Sequence, residues 1–162
     1  MRGIDMVLFR EELRLLEGAL DRLIFESNAR AVFLVERNGQ LIATAGEASR
    51  FDSTSLASLA AGNVAATDGL ASLIGESEFS GLYHEGRKDH LFLSIVARRA
   101  ILVVVFDDRT SLGLVRLRVK RANGEISRIF ADMERRSGEE RSSSAPAMLE
   151  ISEEDIDALF TD

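Results

Sequence analysis

The side chains with the best claim to chemistry are two histidines, His84 and His90, which flank the polar run Gly86-Arg87-Lys88-Asp89. Glu85 and Asp89 are the carboxylates beside them, and the chain has no cysteine. Structural zinc is held by thiolate and imidazole in tetrahedral sets. A zinc site could be drawn from these four residues in principle, but polar residues at strand ends are the plainer account. Asp107-Asp108-Arg109 follows an apolar run and is reminiscent of an acidic metal site. A strand-to-helix loop with local ion pairing explains it more simply. Ser-His-Asp combinations can be picked out, yet no GxSxG elbow marks a nucleophile, and no GxxxxGK[ST] loop cradles a phosphate. Nothing here argues for an enzyme with an active site of its own, and no cofactor is expected.

Charge narrows the field further. The net charge is −7 over 162 residues, but it is not evenly spread. From Ser137 onward eight acidic residues face Arg141 alone, which leaves 19 acidic and 19 basic residues in a neutral body. Nucleic-acid binding asks first for a basic footprint, and a neutral body does not supply one. Arg116, Arg118, Lys120 and Arg121 form a local basic cluster that reads as a solvated helix face. An acidic end on a neutral body points instead to an interaction segment. The lack of cysteine favours an intracellular, cytoplasmic home, the first residues acquire acids too early for a signal peptide, and no apolar run approaches the roughly 20 residues that span a bilayer.

The elements that must position any site follow from periodicity. Val7 to Glu26 places Leu8, Leu13, Leu16, Leu20 and Leu23 or Ile24 at helical spacing. Ala31–Glu36 and Leu41–Ala45 read as strands joined through Asn38-Gly39, a dipeptide whose residues both tolerate positive φ in a hairpin turn. Ser53 to Gly75 reads as a helix started by Asp52 or Ser53 and stopped by the glycine. Phe79–Glu85, His90–Ala97 and Ala100–Phe106 read as three further strands, the last apolar throughout and so central. Leu112 to Met133 begins with a strand-like alternation, LVRLRVK, but sustains a helical spacing from Leu112 to Met133, so a helix is expected. The fold class is α/β (α+β), α-β-β-α-β-β-β-α, with a mostly antiparallel five-stranded sheet. Residues 1–136 form the domain, 137–147 a Ser-rich flexible linker, and 148–162 an acidic amphipathic tail that either folds back on its own domain or binds a partner.

The middle helix is unusual in composition, with Asp68 its one charge. Leu56, Leu59, Asn63, Ala66, Leu70 and Leu73 share one stripe, and Ala57, Ala61, Val64, Ala65, Asp68 and Ser72 share the opposite one. A surface helix normally has a charged face. Either this is a contact surface, buried on both sides, or it is an interior helix of one larger core.

The element order and four stretches together resemble the Roadblock/LC7 domain family. The stretches are VFLVERNGQLIATAG (Val32 to Gly46), DSTSLASLAAGNVAATDGLASLIGE (Asp52 to Glu76), VVVFDDRTSLGLVRLRVK (Val103 to Lys120) and ISEEDIDALF (Ile151 to Phe160). The likeness is to members that regulate a Ras-like motility GTPase in bacterial cell polarity, with enrichment at a cell pole a further expectation. It implies a homodimer with the two middle helices side by side and sheet edges paired, through Leu56, Leu59, Asn63, Ala66 and Leu70. It implies a GTPase-facing patch of Ala61, Ala65, Thr67, Asp68 and Gly69, and two protomers to one GTPase. Such regulators hold the GTPase's own catalytic residues in place and lend no arginine finger. The tail, through Ile151, Asp155, Ile156, Leu159 and Phe160, would be a second contact that affects nucleotide exchange. On this reading the leucine stripe packs on its own sheet and meets the dimer mate, while the bare stripe receives the GTPase. Two other readings remain: an adaptor that leaves turnover unchanged, and a tail that binds a response-regulator receiver domain as the similar acidic peptides of flagellar switch proteins do.

Overall fold

The computed structural model describes residues 2–144, with side chains over residues 10–139. The expectations for Ile151, Asp155, Ile156, Leu159, Phe160 and the rest of segment 148–162 therefore lie outside the described residues. The chain divides into two compact units, residues 1–129 and 130–162. The first contains α1 (Arg2–Ser27), β1 (Ala31–Glu36), β2 (Leu41–Gly46), α2 (Ser53–Leu73), β3 (Gly81–His84), β4 (His90–Val96) and β5 (Ala100–Phe106). It also holds the start of α3 (Leu112–Ser144), which continues into the second unit. Within that second unit Arg135 pairs with Asp132 at 3.2 Å, one turn apart.

The five strands form one antiparallel sheet in the order β2-β1-β5-β4-β3. The expected fold class holds, as does the central place of the all-apolar strand: every residue of β5 is buried. Side chains alternate across a strand, so β1 and β5 feed two cores. Phe33, Val35, Ile101, Val103 and Val105 join Leu93 beneath α2. Val32, Leu34, Leu102 and Val104 point to the other face, where α1 lies across β1 and β2.

Local signals explain the ends of the elements. Asn28 closes α1 at φ 56, its N–H donating to Ile24 O at 3.0 Å, because asparagine tolerates the left-handed region. Gly46 must be glycine: its φ is +72, and a Cβ there would lie 2.4 Å from Arg30 O. Two turns differ from expectation. In the β1–β2 hairpin only Gly39 has positive φ, Gly39 N–H donates to Glu36 O, and Glu36 N–H donates to Gln40 O. That is a three-residue connection with a glycine bulge, not a two-residue turn with both residues left-handed. Two consecutive left-handed residues occur instead at Ala97-Arg98, with φ 53 and 60, between β4 and β5. The strands pair as far as Val96 and Ala100, and Arg99 N–H donates to Val96 O across the turn. So short a connection must reverse sharply, and strand pairing overrides the residues' own preference.

The third helix is longer than its apolar spacing suggests. It runs past Met133 to Ser144, so residues 137–144, expected as linker, are helical. A helix already formed gains a hydrogen bond for each residue added. Glu139, Glu140 and Arg141 are good helix formers, which offsets the roughly 1 kcal/mol that Gly138 costs.

Candidate functional site

The middle helix is anchored at both ends. The Asp52 carboxylate accepts from Ser55 N–H at 3.1 Å and from Ser55 Oγ at 2.7 Å. Those hydrogen bonds, the hydroxyl first, hold its carboxyl below the usual carboxylate range. At the other end Gly75 has φ +83, Glu76 N–H donates to Ala71 O at 2.9 Å, and Gly75 N–H donates to Ser72 O at 3.3 Å. This is the paired closure that a left-handed glycine permits.

Burial shows which side of α2 is inward. Ala57, Ala60, Val64 and Ala71 are buried, with Leu56 and Ala61 packed against the same cluster. The leucines are not: Leu59 is 74% exposed, Leu70 60%, Leu73 83% and the following Ile74 68%. The expectation that the leucine stripe packs on its own sheet is therefore corrected. Phe33 and the branched residues of β1 and β5 already fill the space under the helix, so short alanines meet them and the leucines turn outward. Ala57 and Val64, placed on the bare stripe from sequence, belong to the core.

The outward face has three strips. Along its middle run Gly62 and Gly69, two turns apart, and a Cβ added at either would touch nothing within 4 Å. On one flank lie Leu59, Ala66 and Leu70, with half-buried Leu56 and Asn63 at the border. That flank faces the edge strand β3, since Asn63 Nδ2 and His84 Nε2 are 3.4 Å apart. On the other flank lie Ser58, Ala65 and Ser72, all exposed, with Ala61 and Asp68 half-buried behind them, whereas half-buried Thr67 is one turn from Asn63 on the first flank. The β1–β2 turn rims this second flank, with Gly39 against Ser58 and Ala61.

Arg37 is the residue that sequence reasoning overlooked. It extends from the β1–β2 turn, donates to Asp68 Oδ2 at 3.2 Å and pairs with Glu78 beyond the end of α2. The lone charge of the helix is thus neutralised locally. The signal that could have found it is that single aspartate, which needed a cation from elsewhere. Thr67 turns its hydroxyl back to Asn63 O at 2.8 Å and presents little to a partner.

The residues with possible metal chemistry do not converge. His84 meets Asn63, whereas His90 Nδ1 accepts from Gly86 N–H at 3.2 Å and its ring lies against Tyr83 and Phe106. Among the described residues no group of three such side chains could hold a metal ion. Asp107 accepts from Arg109 Nε at 3.0 Å, which holds its carboxyl below the usual range. Asp89 pairs bidentately with Arg30 at 2.9 and 2.8 Å, and Arg30 also pairs with Glu47. These are structural clamps between loops. No described helix is long and apolar enough to cross a membrane. The arrangement of α2, largely apolar, with its one charge paired to Arg37 and no internal reason for its glycines, suits contact rather than reaction.

Comparison with known proteins agrees with this reading of the fold. A family model described as the Roadblock/LC7 domain matches residues 15–106. MglB of Myxococcus xanthus is similar at 56% identity and a TM-score of 0.73, covering 76% of this chain and 92% of its own. The gliding protein MglB of Thermus thermophilus is 34% identical with a TM-score of 0.69, covering 73% and 90%. An MglB of tetrameric arrangement is 32% identical with a TM-score of 0.71, covering 75% and 92%. No curated protein matches the sequence. A domain that spans more than half of the sequence, on the expected fold and with relatives aligned over most of their own length, makes this chain a member of the Roadblock/LC7 family.

Proposed function

We propose that this chain is a homodimeric regulator of a small Ras-like GTPase of the MglA kind, and that it stimulates GTP hydrolysis without an active site of its own. The observation that carries the reading is the glycine seam of α2. Glycine in a helix interior costs roughly 0.5–1 kcal/mol relative to alanine. At Gly62 and Gly69 nothing inside the chain needs the missing Cβ, so a close approach from outside is the physical reason left. The leucine flank beside β3 serves the dimer mate through Leu56, Leu59, Asn63, Ala66 and Leu70. The bare flank through Ala61, Ala65 and Asp68, with Gly69 of the seam, serves the GTPase, two protomers to one; Thr67, expected in this patch from sequence, stands on the Asn63 flank.

Phosphoryl transfer is catalysed chiefly by positioning and by stabilising charge. Helix α2 has no arginine to lend, and Arg37 at its rim is occupied by Asp68 and Glu78. The regulator's contribution is then to hold the GTPase's own arginine and glutamine in place. The tail supplies a second contact, through Ile151, Asp155, Ile156, Leu159 and Phe160, that affects exchange. The similarity to proteins named MglB supports a role in motility and polarity.

The test is GTP turnover by the cognate GTPase with wild-type protein and with Gly69→Arg. The new side chain enters open space, so the fold and dimer stay intact while stimulation is lost. Unchanged stimulation would sink the proposed surface. A wild-type protein that binds the GTPase without altering turnover would favour an adaptor instead.

A further inference from the structure

The outer side of α1 carries a charge pattern that its own protomer does not use. Arg10, Arg14, Glu17 and Asp21 are all exposed, and their 4-3-4 spacing sets them on one stripe of the helix. Leu16, Leu20 and Leu23 form the buried side of α1, so the stripe turns away from the sheet. Among the described residues none of the four enters an ion pair or a side-chain hydrogen bond. Phe25, one turn beyond Asp21, is 89% exposed.

Within one helix this order of charges is unfavourable. Arg10 and Arg14 are like charges one turn apart, and so are Glu17 and Asp21. Against a second α1 lying antiparallel, the same order is complementary. A two-fold axis between Leu15 and Leu16 sets Arg10 opposite Asp21 of the partner subunit, and Arg14 opposite Glu17 of the partner subunit. The axis repeats both pairs, and the spacing is the one by which two helices keep a common seam. A parallel copy would set like against like. A partner of a single sign would match only half of the stripe and repel the other half. Charge complementarity therefore selects a second copy of this chain.

We propose that α1 pairs with α1 of a second copy in this antiparallel register. The contact is isologous and lies on the other face of the sheet from α2. Exposed ion pairs are individually weak and are screened by salt. The association is accordingly weak and rises with concentration, and Phe25 adds apolar area to it. A protomer with two separate isologous contacts builds assemblies larger than a dimer. Beside the α2 dimer, this contact makes clustering of the protein depend on concentration and ionic strength. It needs no GTPase and stands or falls separately from the proposed function.

Sedimentation velocity of the full chain at low salt, from dilution up to about 1 mM, the dissociation constant of a weak contact, tests this. The weight-average mass should rise with concentration and fall back in 1 M salt, where the screening length is about 3 Å. Arg10→Glu with Arg14→Glu, or Glu17→Arg with Asp21→Arg, should weaken the association at least about tenfold, because every facing pair becomes a like-charge pair. Helical circular dichroism should not change, since all four side chains stand in solvent. An equimolar mixture of the two variants should recover the association, an all-acidic stripe then facing an all-basic one. All four substitutions in one chain leave the net charge at −7 and should associate as the wild type does, a result that non-specific attraction between acidic and basic proteins does not produce. A mass that does not change with concentration, or reversal variants that associate as the wild type does, would overturn the proposal. So would a mixture that fails to recover, or a four-residue swap that stays apart.

Discussion

Replacing both seam glycines by alanine separates what α2 does for its own domain from what it does for a partner. In the isolated protomer Gly62→Ala and Gly69→Ala place methyl groups in open space. Each removes a helix-interior glycine, a gain of roughly 0.5–1 kcal/mol. The sites are two turns apart, about 10 Å along the axis, so the gains add to about 1–2 kcal/mol. For a chain of this size that raises Tm by about 2–8 °C. At a surface where another backbone comes close, the same methyls are overpacking, which costs about 1–3 kcal/mol each. Thermal unfolding by circular dichroism at dilution reads the first effect. The dimer dissociation constant and GTP turnover with the cognate GTPase read the second. The variant should be more thermostable and at least about fivefold weaker in one of those two contacts, since about 1 kcal/mol is a factor of about five. A more thermostable variant with both contacts unaltered would refute the claim that the glycines serve a partner.

Leu59→Asp with Leu70→Asp should turn the dimer into a monomer in sedimentation velocity. The same change should leave the helical circular dichroism nearly untouched, because both side chains already stand in solvent in the single chain. Gly46→Ala should destabilise the domain by about 3 kcal/mol or more in urea unfolding, from left-handed strain together with the clash against Arg30 O. Acid lability should centre on three carboxyls that the fold holds low: Glu47 through Arg30, Asp52 through Ser55 and Asp107 through Arg109. Groups lowered by folding lend stability above their unfolded pKa, about 4. That stability is lost as pH falls from there through the lower folded values. The urea midpoint should therefore drop below about pH 4, and Arg30→Gln should make that drop shallower by releasing Glu47.

Element order was legible because its signals are local. The all-apolar AILVVVF belonged at the centre of a sheet, Asp52 or Ser53 marked the start of a helix, and Gly75 marked its end. The spacing from Leu112 to Met133 outweighed the strand-like LVRLRVK within it. Turn geometry was less legible: Ala97-Arg98 adopts a shape that its residues disfavour because β4 and β5 pair as far as Val96 and Ala100. The end of α3 was also hidden, since serine-rich composition describes linkers and helix ends alike.

The candidate site divides along the same line. By itself the sequence determined that α2 lacks a charged face, that its residues fall into a leucine stripe and a small stripe, and that the acidity gathers at the end of the chain. Both stripes are apolar, however, and periodicity reports the angle between residues but not which angle faces the core. That choice belonged to the sheet. Phe33, Ile101, Val103 and Val105 occupy the space beneath the helix, so alanines approach them closely and the leucines are left outside. Only the tertiary structure could also bring Arg37 from a hairpin turn to the lone Asp68, because ion pairs between distant segments leave no periodic trace in the sequence.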